Sequence, residues 1–121
     1  MPDRPILVVD DDPSILETVS ELLDMEGYRV ETASNGADAL RKIERARPRL
    51  VLLDMRMPIL DGWGFARELK ARGFTTPVVV MTAAQDARGW AAEIGALDYI
   101  AKPFELHELL STLERVQNHV A

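Results

Sequence analysis

The chain has 121 residues, 47% of them hydrophobic and 28% charged, which suits one domain with one apolar core and leaves no room for a second. The formal net charge of −6 argues against direct binding of nucleic acid, because a phosphate backbone selects a basic surface. The absence of cysteine excludes disulfides, thiolate metal sites and thiol nucleophiles. No signal-peptide pattern and no membrane-length apolar run is found, so we expect a single cytoplasmic domain over residues 1–121 without a membrane partner.

Five short runs predict β-strands, because they are either apolar throughout or alternate in polarity. They cover residues 5–9, 28–33, 50–53, 78–81 and 98–101. The runs LVLL and VVV are apolar throughout, which is typical of strands buried on both faces of a parallel sheet.

A helical pattern follows each of these runs. The first helix has a clear start, since Asp12 suits the capping position and Pro13 the first helical position, and it ends at Gly27. The fourth, over residues 86–94, is weaker because it contains Gly89, which costs roughly 1 kcal/mol relative to alanine. We therefore expect five helices, with a short or irregular fourth.

Strict alternation of strands and helices predicts an α/β domain with a doubly wound parallel sheet and right-handed crossovers. In such sheets, ligands bind outside the carboxyl ends of the strands. The polar residues that end the apolar runs all fall at this edge. They are Asp10 and Asp11 after the first strand, Asp54 after the third, Thr82 at the end of the fourth and Lys102 after the fifth.

Three carboxylates at one edge need compensating charge, because each pair repels by about 4 kcal/mol at 4 Å and an effective dielectric of 20. Lys102 supplies one positive charge, and a divalent cation supplies two more. Mg²⁺ fits best, since it takes oxygen ligands, retains waters and is often bound together with a phosphate. Zinc is not expected, because cysteine is absent and the two histidines, His107 and His119, fall on the last helix.

A carboxylate beside Mg²⁺, a lysine and a hydroxyl forms a site that can accept a phosphoryl group as an acyl phosphate. Asp54 is the candidate acceptor in this interpretation. Lys102 and the metal would neutralise the phosphoryl oxygens, and Thr82 would donate a hydrogen bond to one of them.

An enzyme interpretation is the alternative. The D-x-D pattern from Asp10 to Asp12 also occurs in phosphatases of the haloacid dehalogenase type, in which the first aspartate is the nucleophile. Ser14 does not match the Thr or Val that would extend that motif, and the interpretation leaves the segment LLDMRMP without a role. Which aspartate becomes phosphorylated distinguishes the two functions.

Four segments in order, ILVVDDD, LLDMRMPILDG, VVVMTA and GALDYIAKPF, resemble the receiver domain of two-component response regulators, from Ile6 to Phe104. The resemblance implies a flavodoxin-like sheet of order 2-1-3-4-5. It implies a signalling domain rather than an enzyme, phosphorylated by a histidine kinase or a histidine phosphotransfer protein. Phosphorylation would switch a distal face that acts on a downstream protein or on an output domain outside this chain.

The resemblance also assigns metal ligands. Asp10 and Asp11 would form the acidic pair, with Asp11 as the direct Mg²⁺ ligand. Asp54 would bind the metal as well as accept the phosphoryl group, and Arg56 would offer its backbone carbonyl.

By the same resemblance, Thr82 and Lys102 would bind the phosphoryl group, and Thr82 and Tyr99 would be the switch residues. The Lys102–Pro103 bond would be cis. Arg56 and Ala84, two positions after Asp54 and Thr82, match positions that tune hydrolysis of the acyl phosphate. Because Arg56 could shield the phosphoryl group or pair with a nearby acid, and Ala84 cannot steer a water, we expect a moderate to long phosphoryl lifetime.

Overall fold

The computed structural model describes residues 4–83 and 85–120, with side chains through residue 118. Ala84 and the side chain of His119 lie outside the described residues, so the expectations about them stay expectations. None of the helices in the described part of the chain is long and apolar enough to cross a bilayer.

The structure contains five strands and five helices in strict alternation. The strands are β1 (Ile6–Val9), β2 (Val30–Ala33), β3 (Leu50–Leu53), β4 (Val78–Thr82) and β5 (Asp98–Ala101). The helices are α1 (Pro13–Met25), α2 (Gly36–Ala46), α3 (Gly62–Ala71), α4 (Ala87–Ile94) and α5 (Leu106–Val120). All strand pairs are parallel and the order is β2-β1-β3-β4-β5, which confirms the predicted topology.

Both faces of the sheet are covered, which explains the continuous apolar runs of β1, β3 and β4. Alternate residues of each strand point to opposite faces. Val8 and Leu52 join a core with α1 and α5, and Leu7 and Val51 join a second core with α2, α3 and α4. All four side chains are fully buried.

The second strand begins two residues later than the sequence pattern predicts, because Tyr28 still belongs to the end of α1. Gly27 adopts φ +88° and donates its N–H to the Asp24 carbonyl, while Tyr28 donates to the Leu23 carbonyl. This pair of bonds is the Schellman motif, which satisfies carbonyls left open at the end of a helix. The register with β1 begins at Val30, and the Ile6 N–H donates to the Arg29 carbonyl at 2.9 Å.

The fourth helix is short, as expected, at eight residues against ten to fifteen in the other four. Its glycine has a local reason. The Asp86 side chain caps the helix by accepting from the Gly89 N–H at 3.2 Å, and a Cβ on Gly89 would lie 2.4 Å from the same carboxylate oxygen. Alanine at this position would therefore disturb the cap, which offsets its higher helix propensity.

The loop between β3 and α3 contains a strained residue that no pattern in the sequence indicated. Ile59 adopts φ +71°, a left-handed conformation that β-branched residues rarely take. Its side chain is 81% exposed, so burial does not offset the strain.

Ile59→Asn should raise the free energy of unfolding by about 0.5–1 kcal/mol, because asparagine tolerates the left-handed conformation and little burial is lost. Urea denaturation of the two proteins measures the difference. Ile59→Val, which keeps the β-branch, is the matched control and should bring no gain. An asparagine variant as stable as the valine variant would contradict the strain.

Candidate functional site

Backbone hydrogen bonds continue the sheet one residue beyond three of its strands and so fix the polar side chains at its carboxyl edge. The Asp10 N–H donates to the carbonyl of the last β2 residue at 3.1 Å, and the Asp54 N–H donates to that of the last β1 residue at 2.9 Å. The Lys102 N–H donates to the Thr82 carbonyl at 2.9 Å. The ladder therefore brings together residues that are far apart in the sequence.

Three carboxylates meet at this edge, as the sequence predicted. One oxygen from each of Asp10, Asp11 and Asp54 lies within 4.8 Å of the others. Asp10 is fully buried and Asp54 nearly so, whereas Asp11 is exposed. An all-oxygen set with one exposed member suits Mg²⁺, which binds a few carboxylates and keeps waters on its open side.

Lys102 compensates one of these acids more completely than the others. Its Nζ forms an ion pair with Asp10 Oδ2 and lies 3.9 Å from Asp54 Oδ2. The other Asp10 oxygen accepts the Asp12 N–H at 3.0 Å, so both oxygens of Asp10 are engaged. Asp54 Oδ1 accepts the Met55 N–H at 2.9 Å, which leaves Oδ2 beyond hydrogen-bond distance of the lysine.

The pKa values of two aspartates reflect these surroundings. Burial, and then the neighbouring Asp10 carboxylate, raise the pKa of Asp54 to about 6, against the opposing effect of Lys102. The hydroxyl and N–H of Ser14 donate to Asp12 and lower its pKa, in agreement with its predicted role as the cap of α1. Asp54 is therefore an acid whose charge the protein alone compensates poorly.

A depression of about 650 Å³ opens over the candidate acceptor. It is lined by Asp54, Arg56, Thr82, Ala83, Gln85, Asp86, Trp90 and Lys102. Gln85, Asp86 and Trp90 were not predicted as part of the site. Their position in the sequence could have indicated this role, because the loop after β4 and the first turns of α4 follow the carboxyl edge of the sheet.

The structure brings five of the predicted site residues to this edge, namely Asp10, Asp11, Asp54, Thr82 and Lys102. Thr82 is buried at the end of β4, and the Arg56 side chain is exposed at the rim. Tyr99 is 39% exposed on β5 and does not line the depression. The Lys102–Pro103 bond is cis, as expected.

Comparison with known sequences places the chain in a family. The family model described as response regulator receiver domain matches residues 6–114. Response regulator MprA of Mycobacterium sp. (strain KMS) is 44% identical over 115 residues, which cover 93% of this chain and 50% of that protein. The chain thus spans about half the length of the curated relatives that it matches.

Solved structures of receiver domains and response regulators are similar to this chain as well. The receiver domain of a sensor histidine kinase from Pseudomonas aeruginosa PAO1, with a magnesium ion coordinated in its active site cleft, is 36% identical with a TM-score of 0.84. The similarity covers 93% of this chain and 95% of that one. The response regulator TrrA from Thermotoga maritima, in complex with Mg(2+)-BeF, is 35% identical with a TM-score of 0.83, covering 93% of this chain and 97% of that one.

The fold and the site define a flavodoxin-like α/β domain with an acidic pocket at the carboxyl edge of its sheet. The chain belongs to the response regulator receiver domain family, the receiving component of two-component signal transduction. The haloacid dehalogenase alternative finds no support, because the match to the receiver domain family covers nearly the whole chain.

Asp54→Asn should alter the pH dependence of stability in metal-free protein. Because the folded-state pKa of about 6 lies above the ordinary value of 3.8, the wild type loses stability as pH rises through this window. The loss is on the order of 1–2 kcal/mol after allowance for solvent screening. Asparagine has no such titration.

Urea unfolding at pH 4 to 8 in the presence of a chelator measures this difference. The asparagine variant should gain stability relative to wild type as the pH rises. Asp12→Asn is the matched control, because Asp12 has a lowered pKa at the same edge and should show no gain of this kind. Parallel pH profiles for wild type and Asp54→Asn would contradict the raised pKa.

Proposed function

We propose that this receiver domain accepts a phosphoryl group on Asp54 from a histidine kinase or a histidine phosphotransfer protein, in a Mg²⁺-dependent reaction. One observation carries the proposal: Asp54 belongs to a three-carboxylate cluster and lines an open depression, and its Oδ2 lies 3.9 Å from the Lys102 Nζ, beyond hydrogen-bond distance. A carboxylate nucleophile that lines an open depression and lies beside a cation has what phosphoryl transfer requires.

The metal ligands in this proposal are Asp10, Asp11, Asp54 and the backbone carbonyl of Arg56. The carboxylate oxygens within 4.8 Å of one another support the first three. When bound, Mg²⁺ neutralises both the acids and the phosphoryl oxygens. Two of the matched solved structures, a kinase receiver domain and TrrA, contain magnesium, which supports the same requirement here.

The chain's own residues would carry the transfer. Asp54 Oδ2 forms the new bond to phosphorus while the bond from phosphorus to the donor's imidazole nitrogen breaks. That nitrogen keeps the electron pair. Because the other ring nitrogen carries a proton, the donor side chain becomes a neutral histidine. Lys102 lies near enough to Asp54 to contact a phosphoryl oxygen by a side-chain rotation, and Thr82 at the same depression would donate from its hydroxyl.

The product is a changed charge rather than a released metabolite, so we propose a signalling domain and not an enzyme. A phosphoryl group adds roughly −1.5 to −2 charges, and its contacts with Thr82 and Lys102 would favour one of two conformations. Thr82 and Tyr99 would relay the switch to the distal face.

The recipient is a downstream protein or an output domain outside this sequence, and the compartment is the cytoplasm, where kinases are supplied with ATP.

Asp54→Asn should abolish labelling by a small acyl-phosphate donor such as acetyl phosphate, because the amide cannot form an acyl phosphate. Intact-protein mass spectrometry should show one added phosphoryl group on wild type with Mg²⁺ and none after chelation.

Two control variants test whether Asp54, and not another aspartate at the same edge, is the residue that becomes phosphorylated. Asp12→Asn removes an acid from the same edge that is a helix cap, and it should still be labelled. Asp10→Asn should weaken labelling and leave Asp54 as the modified residue. Labelling that persists in Asp54→Asn and disappears only in Asp10→Asn would overturn the proposal in favour of the phosphatase chemistry.

A further inference from the structure

Four side chains form a continuous bridge from the rim of the depression to two helices. The Arg56 guanidinium lies over the Trp90 ring, with Cζ 5.1 Å from the ring centroid. Trp90 packs edge-on against Trp63, at 4.8 Å between centroids and 66° between planes. The Trp63 Nε1–H donates to Glu93 Oε2 at 2.8 Å. We call Arg56, Trp90, Trp63 and Glu93 the indole bridge.

The bridge begins at the candidate acceptor site. Arg56 stands two residues after Asp54, and both residues line the depression together with Trp90. Trp90 and Glu93 belong to α4 and Trp63 to α3. Within the described part of the chain, Arg56 makes no ion pair with a carboxylate, so the indole is the partner that holds its guanidinium.

A phosphoryl group on Asp54 would compete with that indole. A cation–π contact at an exposed site is worth roughly two- to fivefold in an equilibrium constant. A hydrogen bond between charged groups is worth roughly tenfold to a hundredfold, and a doubly charged phosphoryl group offers several acceptors. Once Asp54 is phosphorylated, the contact of the Arg56 guanidinium with the phosphoryl group is therefore more favourable than its contact with the ring.

We propose that Trp90 is a positioning residue that holds Arg56 away from Asp54 in the resting protein, and that phosphorylation moves the guanidinium from the indole to the phosphoryl group. This inference rests on the proposed function. According to this inference, the contact between Arg56 in the β3–α3 loop and Trp90 in α4 controls the lifetime of the phosphoryl group. Because coupling is reciprocal, the loss of the Arg56 contact in turn loosens α4 from that loop.

A purely structural role for the tryptophans makes a different prediction. Both are half-buried and pack against the core that covers one face of the sheet. If packing were their whole role, a Trp90 variant would change stability, and any effect on lifetime would not depend on Arg56.

A double-mutant cycle on the decay of the Asp54 phosphate separates the two roles. Trp90→Leu should lengthen the lifetime two- to fivefold, because the competing site for the guanidinium is gone. Arg56→Ala should shorten it, because the shield is lost. In the Arg56→Ala background, Trp90→Leu should have no further effect. Equal effects of Trp90→Leu in both backgrounds, or no effect in either, would overturn the inference.

Trp90→Phe guards against a leucine variant that folds poorly. Phenylalanine keeps the aromatic packing but binds cations less well than tryptophan, so its lifetime should fall between wild type and Trp90→Leu. A lifetime that follows the measured stability of the variants instead of this order would also overturn the inference.

Fluorescence gives a readout that does not depend on hydrolysis, because both tryptophans of the chain belong to the bridge. Mg²⁺ with beryllofluoride, a mimic of the phosphoryl group, should change the emission of wild type and of Arg67→Ala, a matched arginine control on α3. Arg56→Ala should bind the mimic, as measured by calorimetry, with most of the emission change lost. An unaltered emission change in Arg56→Ala would contradict the transfer of the guanidinium.

The outcomes also separate this inference from the proposed function. Absence of any phosphoryl group on wild-type Asp54 would refute the proposed function itself. A normally labelled Asp54 whose lifetime is unaffected by Trp90→Leu would refute the indole bridge alone.

Discussion

The site depends on the ion pair between Lys102 and Asp10. Asp10 is fully buried, and a buried charge that loses its partner costs about 3–5 kcal/mol, so the lysine is committed to it in the resting protein. The pair joins the ends of β1 and β5, on opposite sides of β3 and β4 in the sheet. Asp54 lies between them, where burial and then the neighbouring Asp10 carboxylate raise its pKa to about 6, against the opposing effect of Lys102. Asp54 is thus the acid of the site that an added positive charge would stabilise.

Much of the architecture was predictable because local signals and global topology agree. The fully apolar runs marked strands buried on both faces, and Asp12 with Pro13 marked the start of α1, where the structure has its cap. The parallel sheet then carried the aspartates, Thr82 and Lys102 to one edge without further information. The strand order itself came from the family resemblance and not from periodicity, which cannot order strands.

The features that escaped prediction depend on tertiary contacts or on unusual backbone geometry. Tyr28 alternates with its neighbours as a strand residue does, yet the closing bonds of α1 take its N–H. Ile59 has a side chain that argues against a left-handed conformation. The contact between Arg56 and Trp90 joins residues that are distant in the sequence, and it could be seen only when α4 was placed against the β3–α3 loop. Gly89 lowers helix propensity but leaves room for the Asp86 cap.

Chemical trapping of the phosphorylated residue tests the central claim most directly. Borohydride reduces an acyl phosphate to a primary alcohol, so an aspartyl phosphate becomes homoserine at the modified position. After incubation with a phosphorylated histidine kinase domain and Mg²⁺, reduction and tandem mass spectrometry should locate homoserine at residue 54. Homoserine at residue 10 or 11, or at no position in a protein that has taken up phosphate, would contradict the assignment of Asp54 as the acceptor.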